Sequence, residues 1–295
     1  THNHPVLCLT GVAGVPLLQW RLLSEVGPGE VVVISRASAD DHTTATEGEL
    51  SAAFLAGAMV AEGWASPQRA GFNNIDVEYF NAVVAAWDTV IGGRRYLGSR
   101  LLASGRTIHE IEVHNTTSLM ASPLAELVGL RSAEKRIPDC VWRAPLDAKQ
   151  AFLQGLYEGD GSCSDLGRNT IQISYSTISA ELARDVQLLL LEFGVIARQA
   201  RYDNGEIKLV IGNRRDARRF ANRVGFWGQK QRKLEALLEA LPGLPSKRTT
   251  DTVPFLAEYI RAESGARGAD RKWLEKHDIA TVERWDRGTG SEVLD

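Results

Sequence analysis

At 295 residues, 44% hydrophobic and 24% charged, the chain has the length of about two domains and a globular rather than a disordered or fibrous composition. No apolar run approaches the roughly 18 residues of a membrane span, so neither a helical membrane protein nor a membrane partner is expected. The net charge of −3 excludes a uniformly basic nucleic-acid binder. Three cysteines, Cys8, Cys140 and Cys163, lack paired or metal-ligand spacing and predict buried thiols in a reducing cytoplasm.

In chain order, Thr1 to Leu9 predicts a short strand, and Gly11 to Gly14 a turn. A short segment holds Trp20, Leu22, Leu23 and Val26 and ends at Gly27-Pro28-Gly29; Glu30 to Ile34 then reads as a buried strand. This β-rich piece is too small for a core of its own. Ser35 to Gly48 is polar and reads as a linker. A helix follows over 51–61, then polar turn residues around Phe72, then an amphipathic helix from Val77 to Ile91 with core aromatics Tyr79, Phe80 and Trp87. Strands are predicted at Arg94–Ala103 and Thr107–Val113, and a helix around Leu119 to Val128, ending at Gly129.

The second half retraces this order. A helix over 148–158 precedes a strand at 169–175, a helix from Ser179 to Phe193, and strands at Val195–Tyr202 and Glu206–Ile211 around the turn Asp203-Asn204-Gly205. A helix over 215–223 ends near Gly225. Gly243 to Thr252 is a linker, and the tail has short helical segments at Phe255–Glu263 and Arg271–His277. Charge is uneven: from Arg198 to Lys233 eleven Lys/Arg face three Asp/Glu. A stretch of that kind suits phosphate contacts better than the net charge does.

Two segments stand out. Phe54-Leu-Ala-Gly-Ala-Met-Val-Ala-Glu-Gly63 and Phe152-Leu-Gln-Gly-Leu-Tyr-Glu-Gly-Asp-Gly161 share a Phe-Leu start, a glycine at the same offset and an acid-glycine end, with Glu62 and Asp160 98 residues apart. A mid-helix glycine costs about 1 kcal/mol against alanine, which points to close approach of two helix backbones. A carboxylate at a helix C-terminus meets the negative end of the helix dipole, unfavourably unless a cation joins it. A repeat of this size predicts two copies of one unit. Packed side by side, they bring both acids to one end.

This pair of segments resembles the LAGLIDADG (dodecapeptide) homing endonucleases, over roughly residues 50 to 240. Leu55-Ala56-Gly57 with Ala61-Glu62-Gly63 matches the ends of the first motif, and Leu153, Gly155, Leu156, Gly159, Asp160 and Gly161 match the second. The resemblance implies an α+β fold. Two pseudo-symmetric αββαββα repeats, about 50–143 and 147–241, form a DNA-binding saddle within a 46–245 domain, a monomer with an internal pseudo-dimer. It also implies Mg²⁺-dependent cleavage of both strands of a long double-stranded DNA target, with Glu62 and Asp160 as metal ligands. Lys135-Arg136-Ile137-Pro138 is similar to the family's block D, which makes Lys135 the active-site lysine. Lys230 falls at the matching place, since the acid-to-lysine distances are 73 and 70 residues.

Outward strand residues are then expected to read bases: Arg94, Arg95 and Arg100 in the first half, and Gln172, Ser174, Arg198, Gln199, Arg201 and Lys208 in the second. Glu62 departs from the commoner aspartate, which keeps open a degenerate nuclease that only binds DNA or serves as an intein scaffold.

Thr1, Asn3, His4 and Pro5 resemble block B of inteins, and the sequence through Ile34 is most similar to inteins of the DNA gyrase A subunit, the implied host protein in the precursor. The resemblance assigns residues 1–45 to part of a splicing domain, with Thr1, Asn3 and His4 assisting the acyl shift, and 246–295 to a connection back toward its other half. Thr1 stands where an intein would already be inside block B, and Gly290 to Asp295 lacks the family's His-Asn ending. The expectation is a partial intein that does not splice by itself.

Overall fold

The computed structural model describes residues 1–12, 15–35, 43–167 and 170–241, which fall in two compact units, Thr1–Ser35 and residues 43–241. The linker segments at 36–42 and the expected tail helices lie outside the described residues. In the first unit β1 (Pro5–Val12) pairs antiparallel with β2 (Val15–Leu22) and with the two-residue β3 (Val31–Val32). Two expectations are corrected here. Gly11 belongs to β1 rather than to a turn, and the apolar run through Ile34 is not a buried strand, because Val32, Val33 and Ile34 are exposed. An apolar run is buried only where both of its faces are covered.

The second unit opens with α1 (Glu47–Ala61), started by a capping box in which Thr46 Oγ accepts from the Glu49 amide and the Glu49 carboxylate accepts from the Thr46 amide. There follow β4 (Trp64–Ala65), β5 (Ala70–Asn74), α2 (Val77–Val90), β6 (Tyr96–Leu101), β7 (Thr107–Val113), and the short α3 (Thr117–Met120) and α4 (Asp139–Trp142). The pattern then repeats with α5 (Leu146–Asp160), β8 (Gly161–Asp165), β9 (Ile171–Thr177), α6 (Ala180–Glu192), β10 (Arg198–Arg201), β11 (Ile207–Ile211), α7 (Arg214–Arg223) and α8 (Gln229–Glu239). The two four-stranded sheets have the same antiparallel topology, β4-β5-β7-β6 and β8-β9-β11-β10. The fold is α+β with two copies of one unit.

Three local expectations change. Phe72 sits in β5 and is fully buried, not among turn residues. The helix expected over 119–128 breaks after one turn into a separate 3-10 turn at Ala125–Leu127, because Pro123 has no amide to continue it. β8 and α8 join the predicted elements; Gly-Ser-Cys-Ser-Asp carries no strand signal of its own and pairs because β9 lies beside it.

The repeats meet along α1 and α5. A Cβ on Gly57 would fall 2.1 Å from the Phe152 carbonyl oxygen, and one on Gly155 would fall 2.4 Å from that of Phe54. Only glycine permits that approach, and it brings the two helix C-termini side by side. Bonds across the seam fix the register: Tyr79 Oη donates to the Gly155 carbonyl at 2.7 Å, and the Ala45 amide donates to the Asp147 carboxylate at 3.0 Å. The Trp227 ring lies 5.8 Å from Phe54 and 6.5 Å from Tyr79, adding aromatic packing between the halves.

Candidate active site

Both acids stand at helix ends: Glu62 is the C-cap of α1 and Asp160 is the last residue of α5. Burial holds the Glu62 carboxyl above its ordinary range; the Asn74 hydrogen bond works against this and the nearby Asp160 charge adds to it. Asp160 reaches solvent, yet packed neighbours raise its carboxyl as well, while Lys135 and Lys230 pull it back. The four charged groups therefore lie within one another's field, two from each repeat.

The lysines satisfy the orphan carbonyls of the two helix ends. Lys135 Nζ donates to Val60 O at 2.7 Å, Gly63 O at 3.2 Å and Ala61 O at 3.3 Å. Lys230 Nζ donates to Gly161 O at 2.7 Å, Gly159 O at 2.9 Å, Tyr157 O at 3.3 Å and Glu158 O. Burial lowers both ammonium pKa values, and the neighbouring carboxylates raise them again. The cation that a helix-end carboxylate requires is thus built into the chain.

Other residues set these groups in place, and sequence reasoning missed them. Asn74 Nδ2 donates to Glu62 Oε2 at 2.5 Å, while Asn74 Oδ1 accepts from the Asp76 amide at 2.7 Å. Glu158 is 4% exposed and accepts from the Trp227 and Gly228 amides at 3.1 Å each, fixing the entry to α8, whose second residue is Lys230. Ser179 Oγ, the N-cap of α6, donates to the Lys135 carbonyl at 2.6 Å, so the second repeat holds the first repeat's lysine. Glu158 had a visible signal, an acid in an apolar motif at the place of Val60. Asn74 had none, because the Gly and Asn residues around Phe72 give β5 no strand pattern.

Among the described residues no three His, Cys, Asp or Glu side chains gather into a metal cluster. Two carboxylates nonetheless fit Mg²⁺, which is commonly bound by one or two carboxylates and completes its shell with water and phosphate.

The sheet registers sort the expected DNA-contacting residues. On β9 and β11, Ile173, Tyr175, Leu209 and Ile211 face the helices, so Gln172, Ser174, Lys208 and, across β10, Arg198 take the open face. Ser174 is 3% exposed and shares a hydrogen bond with Ser162 Oγ, so it belongs to the sheet surface and does not project. Gln199 and Arg201 are corrected. They pair with Leu209 and Ile207 on the helix side, and Gln199 donates to Gln187 of α6 at 3.0 Å. In the first repeat Arg100 is on the open face, and Arg94 lies over the Tyr96 ring, 5.0 Å from its centre. Arg95 is also corrected, since it binds Asp88 of α2 on the helix side.

In the other unit Thr1, Asn3 and His4 are exposed in a turn closed by His4 N–H donating to Thr1 O at 3.0 Å.

Residues 147–225 match the LAGLIDADG-like domain family. Over 294 residues the chain is 50% identical to the DNA gyrase A subunit of Mycolicibacterium flavescens, covering 100% of this chain and 53% of that protein. It is 40% identical to the DNA gyrase A subunit of Mycobacterium leprae over 97% of this chain and 22% of that protein. The chain spans about half the length of the first curated relatives it matches. Among solved structures, the homing endonuclease I-WcaI bound to its DNA recognition sequence aligns over 65% of this chain and 88% of that one, at 14% identity and a TM-score of 0.46.

Proposed function

We propose, on the premise that the chain carries a LAGLIDADG homing endonuclease domain of the intein type and aligns throughout with the DNA gyrase A subunit, that it is a site-specific DNA endonuclease. It hydrolyses phosphodiester bonds in both strands of a long duplex target at an intein insertion site. Its parent splices itself from the DNA gyrase A subunit in the cytoplasm, with Thr1, Asn3 and His4 assisting. The observation that carries the nuclease reading is the meeting of Glu62 and Asp160 at two helix ends joined backbone to backbone. Each repeat contributes one acid, which suits one acid per DNA strand in a monomer with internal pseudo-symmetry.

Glu62 and Asp160 would hold Mg²⁺. A bound divalent ion neutralises phosphate charge and makes an attacking water more acidic. The residues of the chain do the rest. Asn74 occupies one oxygen of the Glu62 carboxylate and fixes its plane, which offsets the freedom of the extra methylene. Lys135 and Lys230 hold the helix ends and set a positive charge behind the acids, which favours the ionised carboxylates against the burial that opposes them. With their N–H groups directed at carbonyls, the lysines support the acids through charge and position rather than by contact with water. The open sheet faces, carrying Arg100, Gln172, Arg198 and Lys208, set the duplex across the acids.

The test is cleavage of supercoiled plasmid carrying the intein-less insertion sequence of the gyrase A subunit gene, with Mg²⁺ or with EDTA. Linear product that needs the metal and disappears in Glu62→Ala and Asp160→Ala supports the reading. Specific binding without cleavage would replace it with a DNA-binding protein that has lost its nuclease.

A further inference from the structure

We propose that Arg100 and Glu110 form one base-reading unit, which makes the first repeat require a G·C pair close to its cleavage position. The inference rests on the DNA-cleaving reading above and specifies what that site recognises.

Both residues project from the open face of the first sheet, Arg100 opposite Ile108 and Glu110 opposite Gly98. A Cβ at Gly98 would meet nothing within 4 Å, so the floor beside Glu110 is clear. Arg100 Nε donates to Glu110 Oε1 at 2.9 Å. That bond uses one edge of the guanidinium, and among the described residues the terminal nitrogens have no protein acceptor. The Arg100 side chain is 61% exposed and that of Glu110 28%, so the carboxylate backs the arginine while the arginine reaches outward.

This arrangement matches a base pair rather than a phosphate. Guanine offers N7 and O6 to a guanidinium fork in the major groove, and its cytosine partner offers an N4 amino group to a carboxylate. A carboxylate beside the arginine repels phosphate oxygens. Tying Nε to Glu110 also fixes the guanidinium plane, which an arginine seeking only the backbone does not need. The strand register places the pair near the chemistry: His109 of β7 lies opposite Asn74, and Asn74 holds Glu62.

The second repeat lacks this unit. At the place of Glu110, opposite Ala200 as Glu110 is opposite Gly98, stands Lys208. At the place of Arg100 stands Tyr202, whose amide donates to the Glu206 carbonyl where the second hairpin closes. Lysine can donate to guanine but has no acceptor for the cytosine N4 amino group, so the second repeat lacks the carboxylate half of this reading at the matching position.

The experiment selects bound duplexes from a randomised DNA library with the full chain in EDTA, for the wild type, Arg100→Ala and Glu110→Ala. The wild type is expected to enrich a G·C pair at one fixed position, more strongly than at the mirrored position. Arg100→Ala should flatten that preference by about tenfold or more and leave the others intact. Glu110→Ala should relax it too, and by releasing the arginine to the backbone should steepen the log–log salt slope by about one phosphate contact. Preferences identical in all three proteins, or an Arg100→Ala loss spread evenly over all sequences, would overturn the inference while leaving a DNA-recognising protein. A wild type that enriches nothing would overturn the nuclease reading and this inference with it.

Discussion

Lys135 and Lys230 occupy equivalent positions. Lys135 binds the carbonyls of Val60, Ala61 and Gly63, and Lys230 those of Glu158, Gly159 and Gly161, each displaced by the 98 residues that separate Glu62 from Asp160. Two lysines reached by different loops thus close two helices in the same way. Their acceptors are main-chain atoms, so the pattern survives the sequence differences between the copies.

That geometry predicts a stability role for the lysines. Replacing either by methionine leaves partly buried carbonyls without a donor, at about 1–3 kcal/mol each for groups that find no water. We expect Lys230→Met to lose about 2–3 kcal/mol in urea unfolding, and Lys135→Met, with one acceptor fewer, somewhat less. A lysine that served only to activate water would lose cleavage with its unfolding midpoint unchanged.

The glycine seam gives a second prediction. Gly57→Ala or Gly155→Ala drives a methyl into a facing carbonyl, and α1 and α5 must separate. Each is expected to cost about 3 kcal/mol or more, well above the few tenths typical of surface changes. Gly48 lies in the first turn of α1, and a Cβ added there would have nothing within 4 Å, so Gly48→Ala should instead stabilise by about 0.5–1 kcal/mol. Thermal unfolding of the three variants checks both directions.

The sequence made the seam legible because a glycine in an apolar helix has few other reasons to be there. The acids were legible for the same reason, as each closes a repeated pattern. What stayed hidden depends on pairing. β8 is Gly-Ser-Cys-Ser-Asp, a strand only because β9 lies beside it, and Asn74 follows a strand residue, Phe72, that local turn residues disguised. Periodicity also gives no absolute face to an edge strand. Gln199 and Arg201 differ from Arg198 by odd steps, and the ladder alone assigns them to opposite sides.

Asn74 leads to a strand-specific prediction. It holds Glu62, and the matching residue Thr177 accepts from the Ser179 amide instead of supporting Asp160. Asn74→Ala should therefore slow cleavage of one strand by about tenfold or more, since a carboxylate misplaced by about 1 Å can cost about 10²-fold. On supercoiled plasmid this reads as accumulation of nicked circles before linear product. Equal slowing of both strands would show that Asn74 serves the fold and not one acid.

The pH dependence of stability follows from Glu62. Burial raises its carboxyl pKa, with the Asp160 charge adding to this and Asn74 and the lysines opposing it. The folded chain therefore binds this proton more readily than the unfolded chain, and the ionised carboxylate destabilises the metal-free fold. That penalty is fully present above the raised folded pKa, shrinks as pH falls through it, and is absent below the ordinary carboxylate value of about 4. Glu62→Gln cannot ionise, so in EDTA it should unfold at a higher temperature than the wild type at pH 8, with the gap narrowing toward pH 4. Mg²⁺ favours the ionised acid, so adding it at pH 8 should raise the wild-type midpoint and close the same gap from the other side, as binding to the folded state requires. A gap that stays constant with pH and does not respond to Mg²⁺ would mean that Glu62 neither titrates in the fold nor holds the metal.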